Sequence, residues 1–295
     1  MGKKNWLYYA IITTLLWGIW GALIELPEKA GYPATLGYVV WALMLIPVAI
    51  IALKLNSWKL EKSGKAISLG LLTGILGCGG QLILFQCLIL GPAYIVFPII
   101  SLFPVVTIIL SIVLLREKAN RTAWIGIFLS LIAIVLLSYQ PPDNSIVSGY
   151  LWLIMAIAVF ILWGLQAFFM KLGGDAKKEN SIQPESFTFY TMIVAILLMP
   201  VALMMTDFSN EINYGLDGMF TAIVVQSLNA IGYLFFAYTI RYGKAIIVVP
   251  MMSLAPVITI LLSLLIYRTI PNSIIVAGIV VAFIAIYLMA KSENA

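Results

Sequence analysis

Apolar residues run through this chain in blocks about 20 long, and the polar residues collect in the short stretches between them. A bilayer core of about 30 Å asks a helix for a block of that length. The pattern predicts ten spans, at residues 6–26, 34–53, 66–90, 93–115, 122–139, 149–170, 185–206, 218–240, 245–267 and 272–290. These blocks are apolar throughout, whereas strands of a membrane barrel alternate apolar and polar positions. The fold class expected is therefore an all-α integral membrane protein with ten transmembrane helices. The first block is expected to stay as helix one: its apolar run is too long for a signal peptide, and no small-residue cleavage site follows before Pro27.

Composition supports this reading, with 63% hydrophobic and 10% charged residues and a mean hydropathy of +1.08. The net charge of +5 could suggest a nucleic-acid partner, but the basic residues sit in short clusters between spans, as in cytoplasmic loops of membrane proteins. Placing the N-terminus inside puts Lys3, Lys4, Lys54, Lys59, Lys62, Lys65, Arg116, Lys118, Arg121, Lys171, Lys177, Lys178, Arg241, Lys244 and Lys291 on the cytoplasmic side. Lys29 and Arg268 fall outside, among Glu25, Glu28, Asp143, Asp207, Glu211 and Asp217. Both termini are expected in the cytoplasm, the partners are a lipid bilayer and a small molecule, and no nucleic acid is called for.

The chain also repeats itself. PIISLFPVVTIILSIVLLR, from Pro98 to Arg116, returns as PMMSLAPVITILLSLLIYR, from Pro250 to Arg268, and LLWGIW around Trp17 resembles ILWGLQ around Trp163. Two units follow, residues 1–140 and 149–295, with PPDNSIVS between them. Each unit holds five predicted helices, an odd number, so the second enters the membrane from the opposite face. Inverted repeats of this kind frame midplane substrate sites in many secondary transporters.

Several chemistries drop out. The chain has no histidine, and Cys78 and Cys87 lie nine residues apart in one predicted helix, a rise of about 13 Å that exceeds disulfide reach. No metal site is expected, serine–histidine and cysteine–histidine catalysis are excluded, and no phosphate-binding loop appears. The protein is not expected to be an enzyme or to carry a cofactor. GILGCGGQ around Gly79 lies inside a span, where glycines allow close helix packing.

Candidate functional residues are those polar or aromatic at membrane depth. Pro104 and Pro256 fall mid-span and remove an amide each, which should free the carbonyls of Ile100 and Met252 and make kinked hinges. Ser101 and Ser253 stand at the same point of each copy, with Thr107, Ser111, Thr259 and Ser263 on the proline side. Gln226, Asn229, Tyr233 and Phe236 recur on one helix face. Gln81 and Phe85 in the third span, Trp17 and Trp20 in the first, and Trp163 and Gln166 in the sixth complete the set. Amide and indole groups among rings suit a small uncharged or zwitterionic solute; the plainer reading makes the amides interhelical glue and the tryptophans packing. No acid stands near the middle of a span. Glu25, aligned with Lys171, is the near-membrane carboxylate that could hold a cation or a coupling proton, and a solvated helix end is the commoner explanation. Arg268 could guide an anion, though its twin Arg116 sits in an ordinary basic loop.

The ten-span length, the paired Trp-Gly helices and the repeated P-x-x-S-x-x-P-V-x-T segment ending in arginine resemble the drug/metabolite transporter superfamily, in particular its EamA-type bacterial members. In that family the segment commonly closes with a glutamate, represented by Arg116-Glu117; in the second copy Thr269 follows Arg268. The resemblance implies a central cavity bounded by helices one, three, four, six, eight and nine. The expected function is a secondary transporter or exchanger of the inner membrane, moving an amino-acid-like metabolite by alternating access. Facilitated uptake of a sugar or nucleobase is the alternative within that class, and a non-transporting membrane receptor or assembly factor is the alternative outside it.

Overall fold

A computed structural model describes residues 5–91, 93–139, 149–267 and 272–292. The described residues form thirteen α-helices and one π-helical turn, with no strand. In the first half these are α1 (Asn5–Leu23), α2 (Glu25–Lys29), α3 (Ala34–Leu55), α4 (Gly64–Leu90), α5 (Ala93–Ser101), α6 (Pro104–Val113) and α7 (Arg121–Leu137). In the second they are α8 (Leu151–Gly174), α9 (Pro184–Met204), the π turn Leu216–Phe220, α10 (Thr221–Tyr242), α11 (Ala245–Met252), α12 (Ala255–Tyr267) and α13 (Ser273–Ser292).

Each of the ten stretches expected to cross a membrane is helical. Among the described residues, eight helical stretches are long and apolar enough to do so, and the stretches Ile99–Val113 and Arg121–Leu137 are apolar but shorter. The 22 residues of α3 reach about 33 Å, and the 17 of α7 only about 26 Å.

Helix ends follow local chemistry. Ser63 accepts from the Ala66 amide at the start of α4, and Asn120 accepts from the Ala123 amide at the start of α7, each satisfying a donor that has no partner within the helix. The Asn120 side-chain amide also donates to the Ser292 carbonyl, tying the start of α7 to the end of α13. Pro184 opens α9, where its missing amide costs nothing.

The expected proline kinks are breaks rather than bends. Between α5 and α6 the chain makes a turn at Leu102 and Phe103, and Pro104 becomes the first residue of a new helix. The Ile100 carbonyl is not left free, because the Phe103 amide donates to it at 3.0 Å. Between α11 and α12 the turn falls at Ser253 and Leu254, with the Leu254 amide on the Met251 carbonyl. The proline ring excludes a continuing α-helical bond, and one tight turn is the local solution.

The two halves interlock. Helix α1 packs on α10 and α12, α8 on α4, α5 and α6, α3 on α9 and α10, and α7 on α13. Helix α11 is buried along its whole length, from Ala245 to Met252, and packs against α6, α7 and α1.

Candidate functional site

Repeated sequence makes repeated contacts. The Thr107 hydroxyl on α6 donates to the Gly164 carbonyl on α8 at 2.8 Å, and its twin Thr259 on α12 donates to the Gly18 carbonyl on α1 at 2.9 Å. Thr259 also reaches the Ala255 carbonyl of its own helix at 3.5 Å, and both threonines join helices of opposite halves. Trp163 lies against Gly80, where a Cβ would stand 2.6 Å from its indole nitrogen, and Trp17 lies against Gly232 at the same 2.6 Å. Glycine at both positions lets the ring settle onto the neighbouring backbone. The resulting pairs, α8 on α4 and α1 on α10, flank the interior where most of the candidate residues lie.

Tyr233 is buried, as are Gln226 and Phe236 on the same helix. The Tyr233 hydroxyl is 2.7 Å from that of Thr191 on α9, with the side chains of Gln166 and Thr73 nearby. Trp163 donates to the Gly77 carbonyl at 3.4 Å and meets Phe103 edge-on. Trp17 packs against Phe236, which meets Tyr233. Trp20 donates to Gln226 at 3.2 Å. Gln81, Phe85, Ser101 and Asn229 are half-buried on α4, α5 and α10; among the described residues no hydrogen bond joins Gln81, Ser101 or Asn229 to this network. The Ser253 hydroxyl turns back to the Val249 carbonyl of its own helix. Pro104 and Pro256 sit at the start of α6 and α12.

A cavity of about 270 Å³ lies elsewhere, between the end of α1, α2, the π turn and α10, lined by Leu23, Leu26, Leu216, Phe220, Thr221, Val224 and Val225. None of the candidate residues lines it.

The end of the molecule carrying the basic loops is tied by carboxylates. A reverse turn ends α6: the Glu117 amide donates to the Ser111 carbonyl, with Arg116 in the left-handed region at φ 55°. The turn delivers the Glu117 side chain to the start of α11, where it accepts from the Ile246 amide at 3.1 Å and faces that of Ala245. Lys171, at the end of α8, donates to the Gly243 carbonyl at 2.7 Å and stands 3.4 Å from Asp175 and 3.9 Å from Glu117. Burial pushes the Glu117 carboxyl above its ordinary range, against the opposing pull of the two amides and Lys171.

Glu61, from the connection between α3 and α4, accepts from the Gln183 amide and the Ser186 hydroxyl at the start of α9, while its own amide donates to Ser186. Tyr190 closes the same loop onto the Glu61 carbonyl. Buried Glu185 accepts from Tyr238, and Arg241 donates to the carbonyls of Ile182 and Gly174.

Sequence reasoning gave these groups no functional role, because charges in loops and at the ends of spans look solvated. One signal was present: Lys171 and Arg241 each stand in the last turn of an otherwise uncharged helix, within reach of carbonyls on the next element. Thr191 and Thr73 carried no signal, since a threonine in a membrane helix more often bonds its own backbone, as Thr188 does.

Comparison with known proteins fits the fold and the repeat. The model of the EamA-like transporter family matches twice, over residues 4–139 and 150–291. An uncharacterized protein of Methanocaldococcus jannaschii is 38% identical over 144 residues, spanning 48% of this chain and 97% of that protein. A solved chain described only as a crystal structure of a protein has the same fold, with a TM-score of 0.79 at 14% identity over 97% of this chain and 98% of its own. The chain belongs to the EamA-like transporter family, and it is a membrane protein with multiple apolar helices.

Proposed function

We propose that this member of the EamA-like transporter family is a secondary transporter or exchanger of the inner (plasma) membrane, moving a small organic metabolite by alternating access. Its architecture in this reading is ten spans in two inverted five-helix units, residues 1–140 and 149–295, with both termini cytoplasmic. The observation that carries the reading is the pair of matched contacts between halves, Thr107 on Gly164 and Thr259 on Gly18. Equivalent bonds at equivalent positions are what two rocking units need if each is to pass through the other's conformation.

The solute binds among Trp17, Trp20, Gln81, Phe85, Ser101, Trp163, Gln166, Asn229, Tyr233 and Ser253. No charged side chain stands among them, so the cargo is uncharged or zwitterionic, and an amino-acid-like solute is favoured. The breaks at Pro104 and Pro256 serve as the hinges, because the short turns there already interrupt the α-helical ladder.

The test is thermal stability of the purified protein with amino acids, sugars, nucleobases and quaternary amines, followed by flux of the stabilising solute in liposomes. A solute at about 100 times its dissociation constant adds about 2.7 kcal/mol of stability. Gln81→Ala and Tyr233→Ala should lose that shift and the flux while keeping the fold; full flux in both variants would move the site elsewhere.

A further inference from the structure

The basic end holds a buried cluster whose charges do not balance. Lys171, with its side chain 4% exposed, is 3.9 Å from Glu117, which is 10% exposed, and 3.4 Å from Asp175, which is 20% exposed. One ammonium thus stands against two carboxylates. Other cations lie nearby: Arg116 and Lys118 flank Glu117 and are exposed, as is Lys177 beyond Asp175, and half-buried Lys244 precedes the first residue of α11. From α11 the cluster receives the amides of Ala245 and Ile246, which offer partial positive charge and no titratable group.

Within the cluster the two carboxylates differ. Lys171 makes its shortest contacts with the Gly243 carbonyl and Asp175, so it would stay paired if Glu117 were neutral. Glu117 is the more buried acid and the one that bridges the halves, from the α6 turn to the start of α11. The two amides and Lys171 offset only part of the cost of burying that charge, and a proton removes it.

We propose that Glu117 is a proton-binding site that sets the state of the basic end: protonated, it stays buried against α11 and the end is closed; deprotonated, it draws toward water and the end opens. The direction follows from linkage. Burial raises the carboxyl's affinity for a proton in the closed arrangement, so proton uptake favours that arrangement over one in which Glu117 is hydrated. Acid closes this end and alkali opens it. The proposal rests on the alternating-access reading, and it identifies the coupling proton's binding group.

Amide hydrogen exchange of residues 245–252, in the full-length protein without any solute, tests it. After correction for intrinsic chemistry, exchange in the wild-type protein should be about fivefold slower near pH 6 than near pH 8. Glu117→Gln, which carries no charge at either pH, should exchange at the slow rate throughout. Glu117→Asp, which keeps the acid, should retain the pH response, and its retention guards against reading a folding defect as a result. Faster exchange in Glu117→Gln than in the wild type, or an unchanged pH response in that variant, would overturn the proposal and reduce Glu117 to a helix cap. Because no solute enters this experiment, its failure would leave the transport reading standing, whereas failure of the Gln81 and Tyr233 test would not touch the proton site.

Discussion

At the basic end Glu61 reaches from the connection before α4 to the start of α9, accepting from Gln183 and Ser186. At the opposite end Asn213, the residue aligned with it by the repeat, reaches from the connection before α10 to the loop before α3, donating to the Ala30 carbonyl at 2.9 Å. Glu117 reaches α11 with a second carboxylate, and its aligned residue is Thr269, which lies outside the described residues. Lys171 pairs with two acids; its aligned residue Glu25 pairs only at the surface, with Lys29 one turn away and both side chains about 60% exposed. One architecture thus closes its two ends with different chemistry. The basic end depends on buried charges, so its stability depends on every partner being present, while the opposite end depends on amides and hydroxyls, including the pair of Thr35 and Thr206 at 2.8 Å.

The largest expected difference between the ends comes from Lys171→Ala, which takes the buried ammonium away from Glu117 and Asp175 and should cost about 3 kcal/mol. Lys29→Ala at the opposite end should stay within about 0.5 kcal/mol. Thermal unfolding in detergent compares the two, and equal losses would break the contrast. Gly80→Val and Gly232→Val should each cost about 1–3 kcal/mol by driving a tryptophan off its neighbour. Their losses should be similar, because the two contacts match; a large inequality would show that the halves are not equivalent at their centre.

Smaller effects sharpen the comparison. Glu61→Ala should cost about 1–2 kcal/mol, because it strips the partners from the start of α9. Asn213→Ala should cost about 1 kcal/mol or less, since it removes a neutral hydrogen bond. The smallest change is Arg116→Gly. It should raise the melting temperature slightly, worth about 0.5 kcal/mol, by relieving a left-handed residue that carries a Cβ.

Much of the fold was legible because its signals are long. Twenty-residue apolar blocks and a near-identical proline segment survive any local uncertainty, and helix occupies every predicted span. The proline segments stand out in the sequence as kinks, and the structure has breaks there, with turns at Leu102–Phe103 and Ser253–Leu254. Sequence shows that an amide is missing at Pro104, but not that Phe103 would take the Ile100 carbonyl in a tighter turn. The central residues were legible in part. Gln226, Tyr233 and Phe236 could be placed on one face by spacing alone, and all three are buried. Their partners could not: Thr191 reaches Tyr233 from a helix 42 residues earlier. The charged cluster of the basic end was hidden for a similar reason. Glu117 and Asp175 come from connections, and Lys171 from a helix end, that look solvated until the halves are brought together.

The most direct test of the account is access to the interior from each side. Single cysteines would replace Ser101 and Ser253 in a protein whose native thiols, Cys78 and Cys87, both buried, have been changed to alanine. Membrane-impermeant thiol reagents would then be applied from one face and from the other. The account predicts that both positions react, each from either face, because the interior opens alternately to the two sides. Failure to react from both faces, in protein that folds and reaches the membrane, would mean that no aqueous route crosses the molecule and would contradict transport.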